Sequence, residues 1–178
     1  MKLDKKRRRQ GKTNYRKRLI LLKGETPRLV IRKTNKYLIL QIIESEHAQD
    51  KVTSNVNTKD LLKYNWPKEK MGSLKSLSAA YLAGMLIAKK TKKEKAILDM
   101  GLIPNIKGSR VYACVAGFND YGKKINYDKK IIPQEKRIKQ SLGEETFNKI
   151  KQEIMKKRMR TRMKNEIWEK VKREKQDK

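Results

Sequence analysis

The sequence predicts a mixed α/β fold: a mixed β-sheet with helices packed on it, a basic N-terminal arm before it and a basic C-terminal helical extension after it. Three observations carry this. Two apolar β-type runs, Leu29–Ile31 and Leu38–Ile43, flank a short polar centre, Lys33-Thr34-Asn35-Lys36, which is a hairpin signal. Two helical patterns, Ser73 to Lys90 and Arg110 to Tyr121, alternate with strand-like segments, as crossover connections require. Cations, meanwhile, gather at both ends of the chain and around the hairpin, where Arg28, Arg32, Lys33 and Lys36 are expected to crowd the tip.

The arm comprises residues 1–26. Met1 to Arg18 carry ten Lys/Arg and one acid, Asp4, a formal +9. Nothing there buries an apolar face, so the segment reads as disordered until it binds. Tyr15 is its one aromatic, available to stack on a base. Leu19 to Leu22 give one or two helical turns, ended by Lys23-Gly24-Glu25-Thr26-Pro27.

The body comprises residues 27–140. After the hairpin, Val52 to Val56 reads as a third, edge-like strand. His47 falls in the loop before it, with no carboxylate or thiol beside it to suggest catalysis. Trp66, just before Pro67, is either a docking residue or core packing under a loop. Leu74, Leu77, Tyr81, Met85 and Ala88 recur at helical spacing, and Ala79 to Ala88 is apolar nearly all round, the mark of a buried helix. Ala80, Ala83 and Gly84 would let that helix lie close against the sheet. Lys95 to Met100 is a short strand. Ser109 caps a second helix whose buried stripe is Val111, Cys114, Val115 and Phe118, and Ile125 supplies a last short strand.

The extension comprises residues 141–178. Lys149 to Lys178 hold thirteen Lys/Arg and five acids, a formal +8, with no Gly or Pro after Gly143. Met155, Met159, Met163, Ile167 and Val171 recur every four residues. At about 100° per residue, that stripe winds around a helix rather than facing one side. It is either a helix meeting several surfaces, with Lys156, Lys157, Arg158, Arg160, Arg162 and Lys164 as its cationic part, or a loosely folded basic tail. Residues 145–178 are expected to be dispensable for folding of residues 27–139.

Composition narrows the function. Of 178 residues, 48 are Lys or Arg and 19 are Asp or Glu, a formal net charge of +29. Self-repulsion at that level destabilises a compact monomer and points to a polyanionic partner. One cysteine and one histidine leave no disulfide framework and too few soft ligands for a zinc site, so no metal or other cofactor is expected. The opening M-K-L-D-K-K-R-R-R is followed by no apolar stretch of a secretory signal, and no run reaches the roughly 18 apolar residues of a membrane span. Zinc-finger spacing and a basic region with leucine heptads are both absent. A metal-dependent nuclease needs several carboxylates converging on paired metal ions. Asp99 ends a strand where such enzymes place one, but Asp50, Asp60, Asp120 and Asp128 fall in loops or helix ends. Asp99 is therefore read as a hydrogen-bonded structural carboxylate, and no catalytic residue is assigned. A metal-dependent ribonuclease-H-like nuclease and a general basic RNA-binding or chaperone module are the alternatives.

Seven blocks stand in order: Gly11–Leu19 (GKTNYRKRL), Pro27–Tyr37 (PRLVIRKTNKY), Leu61–Trp66 (LLKYNW), Ala79–Gly84 (AAYLAG), Ala96–Leu102 (AILDMGL), Lys107–Ala113 (KGSRVYA) and Ile131–Ile138 (IIPQEKRI). With them the chain resembles the large-ribosomal-subunit protein L-eighteen family in its archaeal form, akin to the eukaryotic protein L-five, over roughly residues 6 to 139. The resemblance implies a ribonuclease-H-like fold used as a non-catalytic scaffold in the cytoplasmic ribosome. It implies binding of 5S rRNA in the central protuberance, contacts to large-subunit rRNA, and a neighbouring L-five-type ribosomal protein as co-binder, with no membrane and no small-molecule substrate. It places RNA contacts at Arg7, Arg8, Arg9, Lys12, Thr13, Tyr15, Arg16 and Arg18 in the arm. At the hairpin it places them at Arg32, Lys33, Thr34, Asn35, Lys36 and Tyr37, and before the second helix at Lys107, Ser109 and Arg110. Lys157, Arg158, Arg160 and Arg162 join them on charge alone, because the family pattern ends after Ile138. Where the family usually has a Pro-His pair after the last short strand, this chain has Asn126-Tyr127.

Overall fold

The computed structural model describes residues 5–46 and 49–156. In chain order these form α1 (Lys6–Arg9), α2 (Tyr15–Lys23), β1 (Arg28–Lys33), β2 (Leu38–Glu46), β3 (Gln49–Asn57), α3 (Leu77–Lys90), β4 (Ile97–Asp99), α4 (Arg110–Asp120) and α5 (Glu135–Gln140), then α6, helical over 144–156. Short 3-10 segments at Thr58–Tyr64, Lys68–Ser73 and Lys129–Ile131 join them. The mixed α/β class is as expected. His47 lies outside the described residues.

The four strands form one sheet in the order β3-β2-β1-β4. The hairpin is where the sequence puts it: β1 and β2 run antiparallel with Arg28 opposite Ile43 and Lys33 opposite Leu38. Because successive side chains alternate faces, this register puts Leu29 and Ile31 with Ile42 and Leu40 on one face, and all four are fully buried there. Arg28, Val30 and Arg32 take the other face. β4 joins β1 in parallel, with Arg28 opposite Ile97 and Val30 opposite Asp99, so α3 lies in the crossover between the sheet's antiparallel strands and β4. Arg28 is thus at the end of β1 away from the turn and 3% exposed, which corrects its expected place at the cationic tip.

α3 explains its own composition. Every residue from Ser78 to Ala88 is buried, because the helix meets β2 and β3 on one side, α4 on another and α5 on a third. The Ser76 side chain caps its first turn by accepting from the Ala79 N–H at 3.3 Å. Gly84 does not face the sheet, as its small neighbours suggested. It lies against the Cys114 carbonyl of α4, and Gly117 of α4 lies against the Tyr81 carbonyl of α3. Two glycines facing each other's helix let the backbones touch.

Two local expectations change. Ser109 stands at the N-cap of α4, but its hydroxyl makes no capping hydrogen bond. Ile125 is not in a strand: the Asn119 side chain donates to its carbonyl and accepts from its N–H, both at 2.9 Å, doing the work of a neighbouring strand. Beside it, Lys95 and Lys124 form a parallel bridge.

The start of the extension belongs to the core. Leu142, Phe147, Ile150 and Ile154 are all 2% exposed or less. Phe147 packs on the Tyr81 ring at 5.4 Å between centroids, and Lys151 Nζ donates to the Tyr81 hydroxyl at 2.9 Å. Lys70 Nζ donates to the Leu142 carbonyl and Lys89 Nζ to the Ile154 carbonyl, both at 3.1 Å. The Ser78 hydroxyl donates to the Ile138 carbonyl at the end of α5. This packing corrects the expectation that everything after residue 144 is dispensable to the fold. Met155 is half-buried at the edge of the same core, and the rest of the four-residue stripe lies outside the described residues. Trp66 also resolves to core packing: it is 4% exposed, and its indole N–H donates to the Lys70 carbonyl at 3.0 Å.

Candidate nucleic-acid interface

The arm is more ordered than its charge suggested. Asn14 caps α2 by accepting from the Lys17 N–H at 3.1 Å, so the helix begins at Tyr15, four residues before the apolar Leu19. Tyr15, Arg16 and Arg18 therefore occupy fixed helical positions. The Lys5 ammonium sits 4.9 Å from the centre of the Tyr15 ring. Arg7, on α1, donates from Nε to the Thr13 hydroxyl at 2.9 Å and ties the first helix to the loop before the second.

This order brings the arm and the hairpin together. A groove of about 410 Å³ runs between them, lined by Arg7, Lys12, Thr13, Lys17 and Arg18 from the arm and Arg32 and Lys33 from β1. Leu98, Asp99, Met100 and Gly101 also line it. A second groove, of about 430 Å³, is bordered by Arg8, Tyr15 and Arg16 with Leu102. Arg9 is exposed on α1. Among the predicted contacts, the structure thus collects Arg7, Lys12, Thr13, Arg18, Arg32 and Lys33 into one concave, cation-rich surface. Lys17 belongs to it too; its position one turn from Asn14 was the available signal.

The hairpin tip is stiff. The Thr34 N–H and hydroxyl both donate to the Tyr37 carbonyl, at 2.9 and 2.8 Å, and the Tyr37 N–H returns to the Thr34 hydroxyl at 3.0 Å. Lys75, just before α3, donates to the Asn35 carbonyl at 3.0 Å. Lys33, Asn35 and Lys36 project from this frame, exposed. Tyr37 is half-buried against the core with the Lys59 ammonium 4.3 Å from its ring centre, so one of its faces is taken.

Lys107, Ser109 and Arg110 form a separate group before α4 and line neither groove. Lys107 is exposed, Ser109 and Arg110 half-buried. The Gly108 N–H donates to the Ile131 carbonyl at 2.8 Å, and the Arg137 guanidinium lies over Gly108, which adds a cation that the sequence did not single out there. Lys157, Arg158, Arg160 and Arg162 lie outside the described residues.

Beneath the main groove runs a chain of opposite charges. Arg18 Nη2 is 2.7 Å from Asp50 Oδ2, Arg28 Nη2 is 2.8 Å from Asp50 Oδ1, and Arg28 Nη1 is 3.1 Å from Asp99 Oδ2. Arg32 Nη2 closes it at 3.5 Å from Asp99 Oδ1, an oxygen that also accepts from the Gly101 N–H at 2.8 Å. Burial works to raise the Asp50 pKa, but the Ser45 hydroxyl and the Arg28 and Arg18 charges outweigh it and hold the carboxyl below its usual range. Asp99 is 8% exposed with both oxygens engaged, the structural role expected of it.

A family model described as "Ribosomal large subunit proteins 60S L5, and 50S L18" matches residues 1–96. The large ribosomal subunit protein uL18 of Korarchaeum cryptofilum (strain OPF8) is 46% identical over 137 residues, 75% of this chain and 68% of that protein. The protein of the same name from Methanoregula boonei is 39% identical over 137 residues, covering 75% and 76%, and that from Ignicoccus hospitalis 41% over 142 residues, covering 78% and 67%. The chain belongs to the family of ribosomal large subunit proteins 60S L5 and 50S L18.

Proposed function

We propose that this protein is a structural constituent of the large ribosomal subunit that binds 5S rRNA and anchors it in the central protuberance. It touches large-subunit rRNA and an L-five-type ribosomal protein there, within the cytoplasmic ribosome. The observation that carries the reading is the groove in which arm and hairpin cations converge, on a chain of this family. Its cations neutralise phosphates and release counterions, which supplies affinity without sequence preference. The stiff tip at Thr34 to Tyr37 then fixes register, and the side chains of Asn35 and Lys36 reach sugar or base edges. The reading divides labour between a basic arm (1–26), an α/β body (27–140) and a basic extension (141–178). Residues 144–156 dock that extension on the body, and its later cations reach a further rRNA surface. We read the chain as a non-catalytic scaffold, since the Asp99 oxygens face Arg28, Arg32 and Gly101.

Competition binding tests this. At physiological salt the protein should prefer 5S rRNA over an unrelated folded RNA of equal length, and its affinity should fall steeply with added salt. Equal affinity for both RNAs would reduce it to a general basic RNA-binding module. Cleavage of labelled RNA in magnesium or manganese, abolished by Asp99→Asn, would make it a nuclease instead.

A further inference from the structure

The charge chain under the groove links four elements spread from residue 18 to residue 99. Arg18 is on α2, Asp50 on β3, Arg28 on β1 and Asp99 on β4. Arg28 is the centre: its side chain is 4% exposed, it holds both carboxylates, and its Nη2 also donates to the Ser45 hydroxyl at 3.0 Å. That hydroxyl donates to Asp50 at 2.6 Å, so Asp50 is fixed from two sides before the arm arrives. The arm needs such a partner. α2 carries Lys17 and Arg18 towards a surface that already holds Arg28, Arg32 and Lys33. Cations brought together in a concave, partly desolvated place repel one another. Asp50 is the carboxylate that the Arg18 charge meets, at 2.7 Å.

We propose that Asp50 is a positioning residue for RNA recognition: held by Arg28 and Ser45, it anchors α2 through Arg18 and so sets where the arm's cations stand relative to the hairpin tip. The inference rests on the RNA-binding reading above and deepens it. The same network reaches the hairpin, because Arg28 holds Asp99 and Asp99 holds Arg32. One buried arginine therefore connects the arm with β1, and the free protein already has the spacing that the RNA requires. Pre-setting that spacing reduces the ordering cost of binding.

Positioning by Asp50 and simple electrostatics call for opposite signs when the carboxylate is removed. Removing a carboxylate from a polyanion-binding surface should strengthen RNA binding if Asp50 only subtracts charge. If it positions the arm, Asp50→Asn should weaken 5S rRNA binding by about tenfold while affinity for an unrelated folded RNA of equal length stays level or rises. Amide hydrogen exchange over residues 15–23 of the free protein should speed up well beyond exchange in the sheet strands, with only a small drop in the body's thermal midpoint from loss of the Arg28–Asp50 pair. Asp50→Glu, which keeps the carboxylate, should restore most of the preference. Arg18→Gln leaves the buried Arg28 pairs intact and guards against misfolding of the first variant. It should lower 5S affinity, and the double variant Arg18→Gln/Asp50→Asn should be no worse than the poorer single one. Tighter or equal 5S binding by Asp50→Asn, or additive losses in the double variant, would overturn the positioning role. A wild-type protein with no preference for 5S rRNA would instead remove the reading on which it rests.

Discussion

Gly84 of α3 lies directly against the carbonyl of Cys114 of α4, and a methyl group built on it would overlap that oxygen and crowd the Cys114 Cα at 3.0 Å. The obstacle is backbone, which cannot swing aside like a side-chain end. Gly84→Ala must therefore push the two helices apart, and should cost about 3 kcal/mol or more in chemical denaturation. Gly117→Ala, which meets the Tyr81 carbonyl, should cost as much.

The same contact seals Cys114. It is fully buried, and burial pushes its thiol far above the usual range, so almost no thiolate forms. In native protein it should not react with a thiol reagent over minutes at pH 8, and it should react fully in denaturant. Rapid labelling of native protein would show that α3 and α4 open locally.

The sequence made the α/β body readable because its signals there are local. Two apolar runs around a polar turn locate β1 and β2, and a helix apolar on every side must sit in the middle, as α3 does. What stayed hidden depends on distant partners. Arg28 looked like one more tip cation, and only its pairing with Asp99, 71 residues on, and Asp50, 22 residues on, shows it to be an interior hub. In the extension, Phe147, Ile150 and Ile154 mark one helix face, but they stand among charged residues of both signs, and the four-residue stripe from Met155 onward winds around a helix without marking a face. Of the interface, the arm and tip cations could be named in advance, whereas the convergence of Arg7, Lys12, Arg18, Arg32 and Lys33 on one groove needed the fold.

Core burial after residue 144 yields a truncation pair. Ending the chain after residue 156 should leave the body's stability nearly unchanged. Ending it after residue 144 removes Phe147, Ile150 and Ile154 and should lower the melting temperature sharply or prevent folding. Phe147→Ala alone should cost about 3–5 kcal/mol.

Stability should fall at both pH extremes through identifiable groups. Asp50 has a folded pKa below its ordinary value of 3.8, so its contribution is present above that value and is lost as pH falls through the lower, folded one. Asp50→Asn should flatten this acid limb. Tyr81 is the opposite case: burial first, then the hydrogen bond it donates to Asp120, raise its hydroxyl far above 10.0. The folded protein then keeps a proton that the unfolded chain releases, so stability is full below pH 10 and declines above it. Tyr81→Phe should remove much of that alkaline decline in urea titrations at several pH values.

The central claim is that a stiff tip and a pre-set arm meet 5S rRNA in one register. Because Cys114 is buried, Asn35→Cys gives a protein with one reactive thiol, to which an iron chelate that cleaves RNA by hydroxyl radicals can be tethered. With bound 5S rRNA, cleavage should fall on one short cluster of nucleotides, and the same probe on Lys12→Cys should cut a second, neighbouring cluster. Cleavage scattered along the RNA, or no stronger than that from untethered reagent, would contradict the account.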